Sequence, residues 1–162
     1  MVTYVFFNLS TFFIPLKWYE RSRKIKEDIG DQAGLATTYN NIGEIYLAQG
    51  NYQEVLKLCE RSRKIFEDIG DQAGLATTYN NIGLIYNSQG NYQEALRWYE
   101  KSVEIFKEIG SWHSRAVLLE NIGILYQKIG KKEIAKQYLK ESYKLYLQLN
   151  LKSEAEKVKQ LF

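Results

Sequence analysis

The sequence predicts an all-α fold, an α-solenoid of antiparallel helix hairpins, and three observations predict it. Residues 17–54 recur without gaps at 57–94, an offset of 40, and the two copies differ at only six of 38 positions. Single glycines recur every 20 residues from position 30 to position 130. Apolar residues between them follow helical spacing, as in Leu75, Tyr79, Ile82 and Tyr86. A fixed period of this length is typical of a solenoid, in which each unit packs on its neighbours.

Each repeat contains two helices, which we name A and B in chain order, and turn signals separate them. At Gly30-Asp31 and Gly70-Asp71, a glycine that can take the left-handed conformation precedes a residue that can cap the next helix. Asn51-x-x-Glu54 and Asn91-x-x-Glu94 resemble capping boxes. We therefore expect A helices over residues 32–49, 72–89 and 112–129, and B helices over 15–29, 52–69, 92–109 and 132–149. Short loops make consecutive helices antiparallel neighbours.

The two ends of the chain depart from the repeat. In register with the later copies, residues 1–12 match the last turns of an A helix, and Pro15 predicts that the first B helix starts late, because proline is tolerated only in the first turn. Residues 153–162 form a short amphipathic segment that we expect to cap the last hairpin. We thus expect one solenoid over 1–162, with the segments 1–30 (a truncated repeat), 31–70, 71–110, 111–150 (three full repeats) and 151–162 (a cap).

Composition excludes several classes of protein. With 22 basic and 19 acidic residues and 45% hydrophobic residues, the composition is that of a folded protein and not of a disordered one. No apolar run in the sequence is long enough to span a membrane. The single cysteine, Cys59, excludes an internal disulfide and fits a reducing, cytoplasmic location. Residues 121–162 hold nine basic and four acidic groups, which favour either an acidic partner or a solvated face. Because the lysines alternate with acidic or apolar residues, the solvated face is favoured, and we expect neither nucleic-acid nor membrane binding.

An aromatic-x-x-aliphatic-Gly-x-x-Tyr signature occurs in each A segment. Its first copy is Tyr39, Ile42, Gly43 and Tyr46, and the later copies are Tyr79, Ile82, Gly83, Tyr86 and Leu119, Ile122, Gly123, Tyr126. This pattern resembles the tetratricopeptide repeat (TPR), in the long-repeat form found in kinesin light chains, peptide-binding G-protein modulators and many bacterial regulators. The period of 40 exceeds the family's usual length of about 34, and the proline usual near the end of helix B is absent. The resemblance implies a right-handed superhelix whose A helices line a concave, peptide-binding face.

The resemblance places a candidate binding site on the A helices. Asn41, Asn81 and Asn121 recur just before the Ile-Gly pair, and a side-chain amide can both donate to and accept from a peptide backbone. Three differences between the near-identical copies, Glu44/Leu84, Leu47/Asn87 and Ala48/Ser88, fall on the same helix face. We therefore expect a groove with a shared backbone grip and side-chain preferences set by each repeat, formed by Asn41, Asn81, Asn121, Asn40, Asn80, Glu44, Leu84, Asn87, Ser88 and Gln127. The alternatives are that the asparagines bond to a neighbouring helix or to water, and that exposed positions vary freely.

No residue pattern indicates an enzyme. The only histidine, His113, has no cysteine nearby, and the isolated glycines form no phosphate-binding loop, so we expect no catalytic, cofactor or metal site. Two functions stay open. The first is a protein-interaction scaffold that binds an extended peptide or partner segment. The second is an assembly module that docks through its apolar N-terminal edge (Phe6, Phe7, Phe12 and Phe13) on another copy, or on further repeats of a longer array. Lys26, at a position that is apolar in the other copies, fits an exposed edge.

Overall fold

The computed structural model describes residues 9–162, and its regular elements are all α-helices. In chain order these are α1 (Leu9–Ile29), α2 (Gln32–Ala48), α3 (Tyr52–Ile69), α4 (Gln72–Ser88), α5 (Tyr92–Glu108), α6 (Trp112–Lys128), α7 (Lys132–Gln148) and α8 (Lys152–Lys159). The A helices α2, α4 and α6 pair with the B helices α3, α5 and α7, as expected. The all-α solenoid class is therefore confirmed.

The helix boundaries follow from turn chemistry. Gly70 ends α3 in the left-handed conformation, with φ of 72°, which a residue with a Cβ adopts only at a cost. Asp71 then caps α4 by accepting a hydrogen bond from the Gly74 backbone N–H at 2.9 Å, and Asp31 caps α2 in the same way. These signals place the predicted boundaries of α2 to α7 within one residue of those observed.

The capping boxes expected at Asn51 and Asn91 are not formed. Both asparagines occupy the N-cap position, but neither side chain makes a capping hydrogen bond. The glutamates of the two expected boxes bind other partners instead: Glu54 pairs with Lys57 at 3.2 Å and Glu94 with Arg97 at 2.9 Å. Since these carboxylates turn along the helix surface, the reciprocal bonds of a capping box are not made.

The first helix corrects the prediction for the N-terminal segment. Pro15 lies inside α1, which begins at Leu9, so residues 9–12 are not the end of a separate A helix and Pro15 does not delay the B helix. A proline within a helix removes one backbone hydrogen bond and bends the axis without necessarily ending the helix. Residues 1–8 of the predicted A helix, and the side chains of residues 1–14, lie outside what the structure describes. At the other end, the cap is shorter than expected, since α8 ends at Lys159.

The chain forms two compact units, one ending at Gly70 and the other spanning Asp71–Phe162. In the first unit, Leu35, Tyr39 and Ile42 of α2 form a core with Leu58 of α3, and Tyr19 of α1 packs against it. In the second unit, α4 to α8 enclose two larger clusters, one around Tyr99 and Ile122 and the other around Leu119, Leu139 and Val158.

Close crossings inside the hairpins explain the mid-helix glycines. A Cβ placed on Gly83 would lie 2.5 Å from the ring of Tyr99 on α5, and one on Gly123 would lie 2.6 Å from Leu139 on α7. Buried serines add a second contact in the same hairpins: Ser102 donates to the Ala76 carbonyl at 2.7 Å, and Ser142 donates to the Ala116 carbonyl at 2.8 Å. The A and B helices of a hairpin are thus held together by a glycine crossing and by a serine-to-carbonyl hydrogen bond.

Candidate functional site

The second unit contains a small cleft between two successive A helices. Its volume is about 250 Å³, and it lies between α4 and α6, with one side chain of α5 at its base. The lining residues are Thr77 and Asn80 of α4, Phe106 of α5, and His113, Ser114, Val117 and Leu118 of α6. Three of them, Thr77 and Asn80 on α4 and Val117 on α6, occupy positions that the family resemblance assigns to the inner face of the A helices.

Asn80 gives this cleft its polar character. The side-chain oxygen Oδ1 of Asn80 is buried and has no hydrogen-bond partner. A buried acceptor of this kind costs free energy unless a donor reaches it. The hydroxyl of the neighbouring Thr77 is no such donor, because it donates to the Ala73 carbonyl at 2.9 Å. A backbone N–H of a bound chain would satisfy the Asn80 oxygen directly.

The three phased asparagines are half-buried and have their amides available. Asn41 on α2, Asn81 on α4 and Asn121 on α6 are all partly exposed, and among residues 9–162 none of these side chains makes a hydrogen bond. The expected alternative, a structural bond to a neighbouring helix, is therefore not what the structure gives. Each amide keeps two donors and an acceptor for a ligand or for water.

The other predicted residues differ in their availability. Glu44 and Ser88 are exposed, Leu84 packs against the core of the second unit, and Asn40 is buried and already engaged. Asn87 accepts a hydrogen bond from the Lys128 ammonium group at 3.5 Å. Accordingly, the exposed part of the predicted set offers carboxylate, hydroxyl and amide groups, whereas Asn40 and Leu84 serve the packing.

Gln127 already holds a main-chain carbonyl. Its amide Nε2 donates to the Leu161 carbonyl oxygen at 2.6 Å, and both residues line a second depression with Lys132, Lys136 and Phe162. An inner-face amide of this chain therefore already binds a main-chain carbonyl group, here in the turn that follows α8, and a carbonyl group of a bound peptide would present the same acceptor. An incoming peptide at Gln127 would have to replace the C-terminal segment.

The orientation of α6 is fixed from its other side. The Tyr146 hydroxyl on α7 donates to Glu120 at 3.1 Å, and Arg115 forms an ion pair with Glu141. Burial, together with the neighbouring Glu120 charge, raises the pKa of Tyr146, so the phenol stays protonated and keeps donating at neutral pH. These bonds tie α6 to α7.

Sequence reasoning missed four residues of the cleft, Phe106, His113, Ser114 and Leu118. A signal was present, because the third copy has His113 and Ser114 where the second has Ala73 and Gly74. The larger side chains at the start of α6 build one wall of the cleft. The His113 ring also lies edge-on to Tyr146, with 6.3 Å between ring centroids.

Chemistry beyond binding finds no support in the described part of the chain. Within residues 9–162, no three histidine, cysteine or acidic side chains are placed to hold a metal ion. No helix in that range is both long enough and apolar enough to cross a membrane. Burial raises the pKa of the Cys59 thiol to about 12, so this cysteine is un-ionised and a poor nucleophile at neutral pH.

Comparison with known proteins gives a consistent fold. The sequence model of the tetratricopeptide repeat family matches residues 16–68 and 74–148. No curated protein shows significant sequence similarity. Among solved structures, BtubC (BKLC) from P. vanneervenii is 16% identical, with a TM-score of 0.80 over 91% of this chain and 62% of that one. Aspartyl phosphate phosphatase F from Bacillus subtilis is also 16% identical, with a TM-score of 0.86 over 93% of this chain and 40% of that one.

A third similar structure is a Rap protein complexed with competence and sporulation factor, at 15% identity, with a TM-score of 0.85 over 91% of this chain and 41% of that one. The chain therefore spans less than two thirds of the length of each of these three proteins. At such low identity, the similarity demonstrates a shared fold of helix hairpins.

Proposed function

The chain belongs to the tetratricopeptide repeat family, and we propose that it is a protein-interaction module and not an enzyme. In this proposal the module binds an extended segment of a partner protein along the inner faces of its A helices. The observation that carries this proposal is the buried, unpaired Oδ1 of Asn80 in the cleft between α4 and α6. The Rap protein in complex with competence and sporulation factor supports ligand binding by a similar fold. A cytoplasmic location stays a prediction.

The mode of binding follows from the amides. The Asn80 oxygen accepts from a backbone N–H of the ligand, while Asn81 and Asn121 donate to and accept from neighbouring peptide groups. Backbone bonds of this kind are independent of the ligand's sequence. Preference comes from positions that differ between repeats: Glu44 in the first unit favours a basic residue, whereas the exposed Val117 at the cleft favours an apolar one. In this mode the cleft binds the backbone of the ligand, and the helix surface around the cleft determines which ligand side chains are preferred.

A peptide selected by display against the full chain would test the proposal. We expect Asn80→Ala and Asn81→Ala each to weaken its binding by about fivefold to tenfold, the effect of one lost hydrogen bond. Asn91→Ala is the matched control, because Asn91 is exposed and its side chain makes no capping bond. Fluorescence anisotropy of the labelled peptide gives the three affinities.

N-methylation of the ligand identifies the bond itself. Methylating each backbone nitrogen in turn should reveal one position whose loss of affinity matches that of Asn80→Ala. At that position the two changes should not add, since they remove the same hydrogen bond. Affinity unaffected by both asparagine substitutions would refute the amide-based mode, although protein binding through another surface would remain open.

A further inference from the structure

The most exposed apolar side chains of the described chain lie together on one face of α1. Trp18 is 66% exposed, Ile25 is 51% exposed and Ile29 is 70% exposed, more than any other large apolar residue in residues 15–162. Their spacing, with Ser22 between them, is i, i+4, i+7 and i+11, so they form one helical stripe. This stripe borders a groove of about 490 Å³ that Arg21, Lys26 and Asp31 also line.

Other side chains of α1 already have partners on α2. Lys26 donates to the Gly34 carbonyl of α2 at 3.0 Å, which explains why a lysine replaces the apolar residue found here in the other copies. Tyr39 of α2 donates to Glu27 at 3.3 Å. Among residues 15–29, the stripe is therefore the side of α1 with the most exposed apolar surface.

The repeat shows what covers this stripe in the other copies. Trp18 and Ile25 correspond to Leu58 and Ile65 of α3, which pack on Leu35, Tyr39 and Ile42 of the A helix α2. As a result, Leu58 is only 7% exposed.

Two polar contacts accompany this packing. Ser22 corresponds to Ser102 and Ser142, each of which donates to the carbonyl of an alanine on its A helix. Arg21 corresponds to Arg61 and Lys101, whose charged groups lie 5.7 Å from the ring centroids of Tyr39 and Tyr79 respectively. The α1 counterparts of these two polar contacts, Ser22 and Arg21, line the groove beside the exposed stripe.

We propose that the α1 stripe docks an amphipathic helix of the A type supplied by a partner polypeptide, at a site separate from the cleft. The helix carries leucine, alanine, an aromatic residue and isoleucine at i, i+1, i+4 and i+7, as in Leu35, Ala36, Tyr39 and Ile42. Its apolar face covers Trp18 and Ile25. Its alanine lets the backbones approach, so that the alanine carbonyl accepts the Ser22 hydroxyl. Its aromatic ring lies under the Arg21 guanidinium.

A synthetic peptide with the sequence of α4, Gln72–Ser88, tests this site when it is titrated into the full chain. Replacing Trp98 and Trp112 by phenylalanine leaves Trp18 as the only tryptophan, and the peptide contains none. We expect a saturable shift of Trp18 emission to shorter wavelength as the ring leaves water. A peptide with Ala76→Phe, which blocks the approach at the serine, should bind at least about tenfold more weakly.

The repeat supplies a matched pair of substitutions in the chain. Ile29→Lys should weaken the binding of the α4 peptide by about tenfold or more, whereas Ile69→Lys, at the same position of α3, should leave it unchanged. Absence of a Trp18 shift at saturating peptide would overturn the proposal. So would equal loss with both lysine variants, or loss with Asn80→Ala, which would place the peptide in the cleft. Light scattering covers one other outcome. If the chain forms concentration-dependent dimers that Ile29→Lys abolishes, and the peptide does not shift Trp18 emission, the stripe binds a second copy of the chain instead.

Discussion

Alanine substitution at two equivalent glycines should have opposite effects on stability. Gly43 and Gly83 occupy the same position of the two near-identical copies, in the middle of α2 and α4. In an exposed helix interior, glycine to alanine gains about 1 kcal/mol of helix propensity. What differs is the space: the nearest atom to an added Cβ is Val55 Cγ1 at 3.4 Å for Gly43, but two Tyr99 ring carbons at 2.5 Å for Gly83.

The distances determine the sign of each effect. At 3.4 Å the new methyl group makes an ordinary contact, so we expect Gly43→Ala to raise the free energy of unfolding by about 0.5–1 kcal/mol. At 2.5 Å it lies about 1 Å inside the contact distance of a ring that is fully buried, so the ring cannot move aside. Overpacking of this kind costs about 1–3 kcal/mol. Contacts of 2.5 Å belong in the upper part of that range, about 2–3 kcal/mol, so after the propensity gain of about 1 kcal/mol we expect Gly83→Ala to be less stable by about 1–2 kcal/mol.

Urea unfolding followed by far-UV circular dichroism measures both variants. With a slope of about 2 kcal/mol/M, the midpoints should rise by about 0.3–0.5 M for Gly43→Ala and fall by about 0.5–1 M for Gly83→Ala. The α2–α3 hairpin has Cys59 where the α4–α5 hairpin has Tyr99. Tyr99→Cys should therefore lower the free energy of unfolding less in the Gly83→Ala background than alone. A Gly83→Ala variant as stable as the parent, or a Gly43→Ala variant less stable than Gly83→Ala, would refute the reasoning.

Three further outcomes are expected. Ser102→Ala removes the buried bond to the Ala76 carbonyl and should lower the free energy of unfolding by about 1 kcal/mol, while Ser88→Ala at an exposed site should not change the urea midpoint. Burial raises the pKa of Tyr99 to about 12, and the nearby Asn87 only partly offsets this effect. Because the Tyr99 hydroxyl has no partner in hydrogen-bond geometry, Tyr99→Phe should be neutral or stabilising by up to about 1 kcal/mol in the same assay. The Cys59 thiol should react with a disulfide reagent at pH 8 only as fast as the chain unfolds, because burial raises its pKa to about 12. The raised pKa of Cys59 contributes to the free energy of unfolding fully below about pH 9, and this contribution should be lost as the pH rises toward 12. Urea midpoints of the parent and of Cys59→Ala, measured across this pH range, test the expectation.

Helix positions could be predicted from the sequence because several local signals agree. At α3 and α4, the glycine turns, the aspartate cap and the apolar spacing all indicate the same boundaries, and the structure confirms them. The start of α1 could not be predicted, because Pro15 argues for a break whereas the helix around it continues. Competing side-chain pairs account for the missing capping boxes, since a pattern such as Asn51-x-x-Glu54 does not show that Glu54 also has Lys57 within reach.

The candidate site shows a sharper limit of local sequence. Asn40 and Asn80 lie in identical sequence, because residues 27–43 are the same as residues 67–83. The two side chains nevertheless differ in environment. Asn40 is 6% exposed and engaged, while the Asn80 oxygen is buried and unpaired. The cleft beside Asn80 is lined by Phe106, His113 and Val117, which lie far along the chain. The recurrence of the asparagines is visible in the sequence, but which of them meets an open cleft is not.

The two proposed surfaces differ in the ligand conformation that they select. The cleft presents an unpaired amide oxygen, which suits an extended chain because the backbone N–H groups of such a chain are not used in internal helix bonds. The α1 stripe presents apolar side chains together with a hydroxyl and a guanidinium at the spacing of a helix crossing, which suits a ligand whose backbone bonds are already made internally. Since the sites share no residue, an extended peptide that occupies the cleft should not compete with a helical peptide on α1. Competition between them would mean that both ligands use one surface, and at least one of the two assignments would then be wrong.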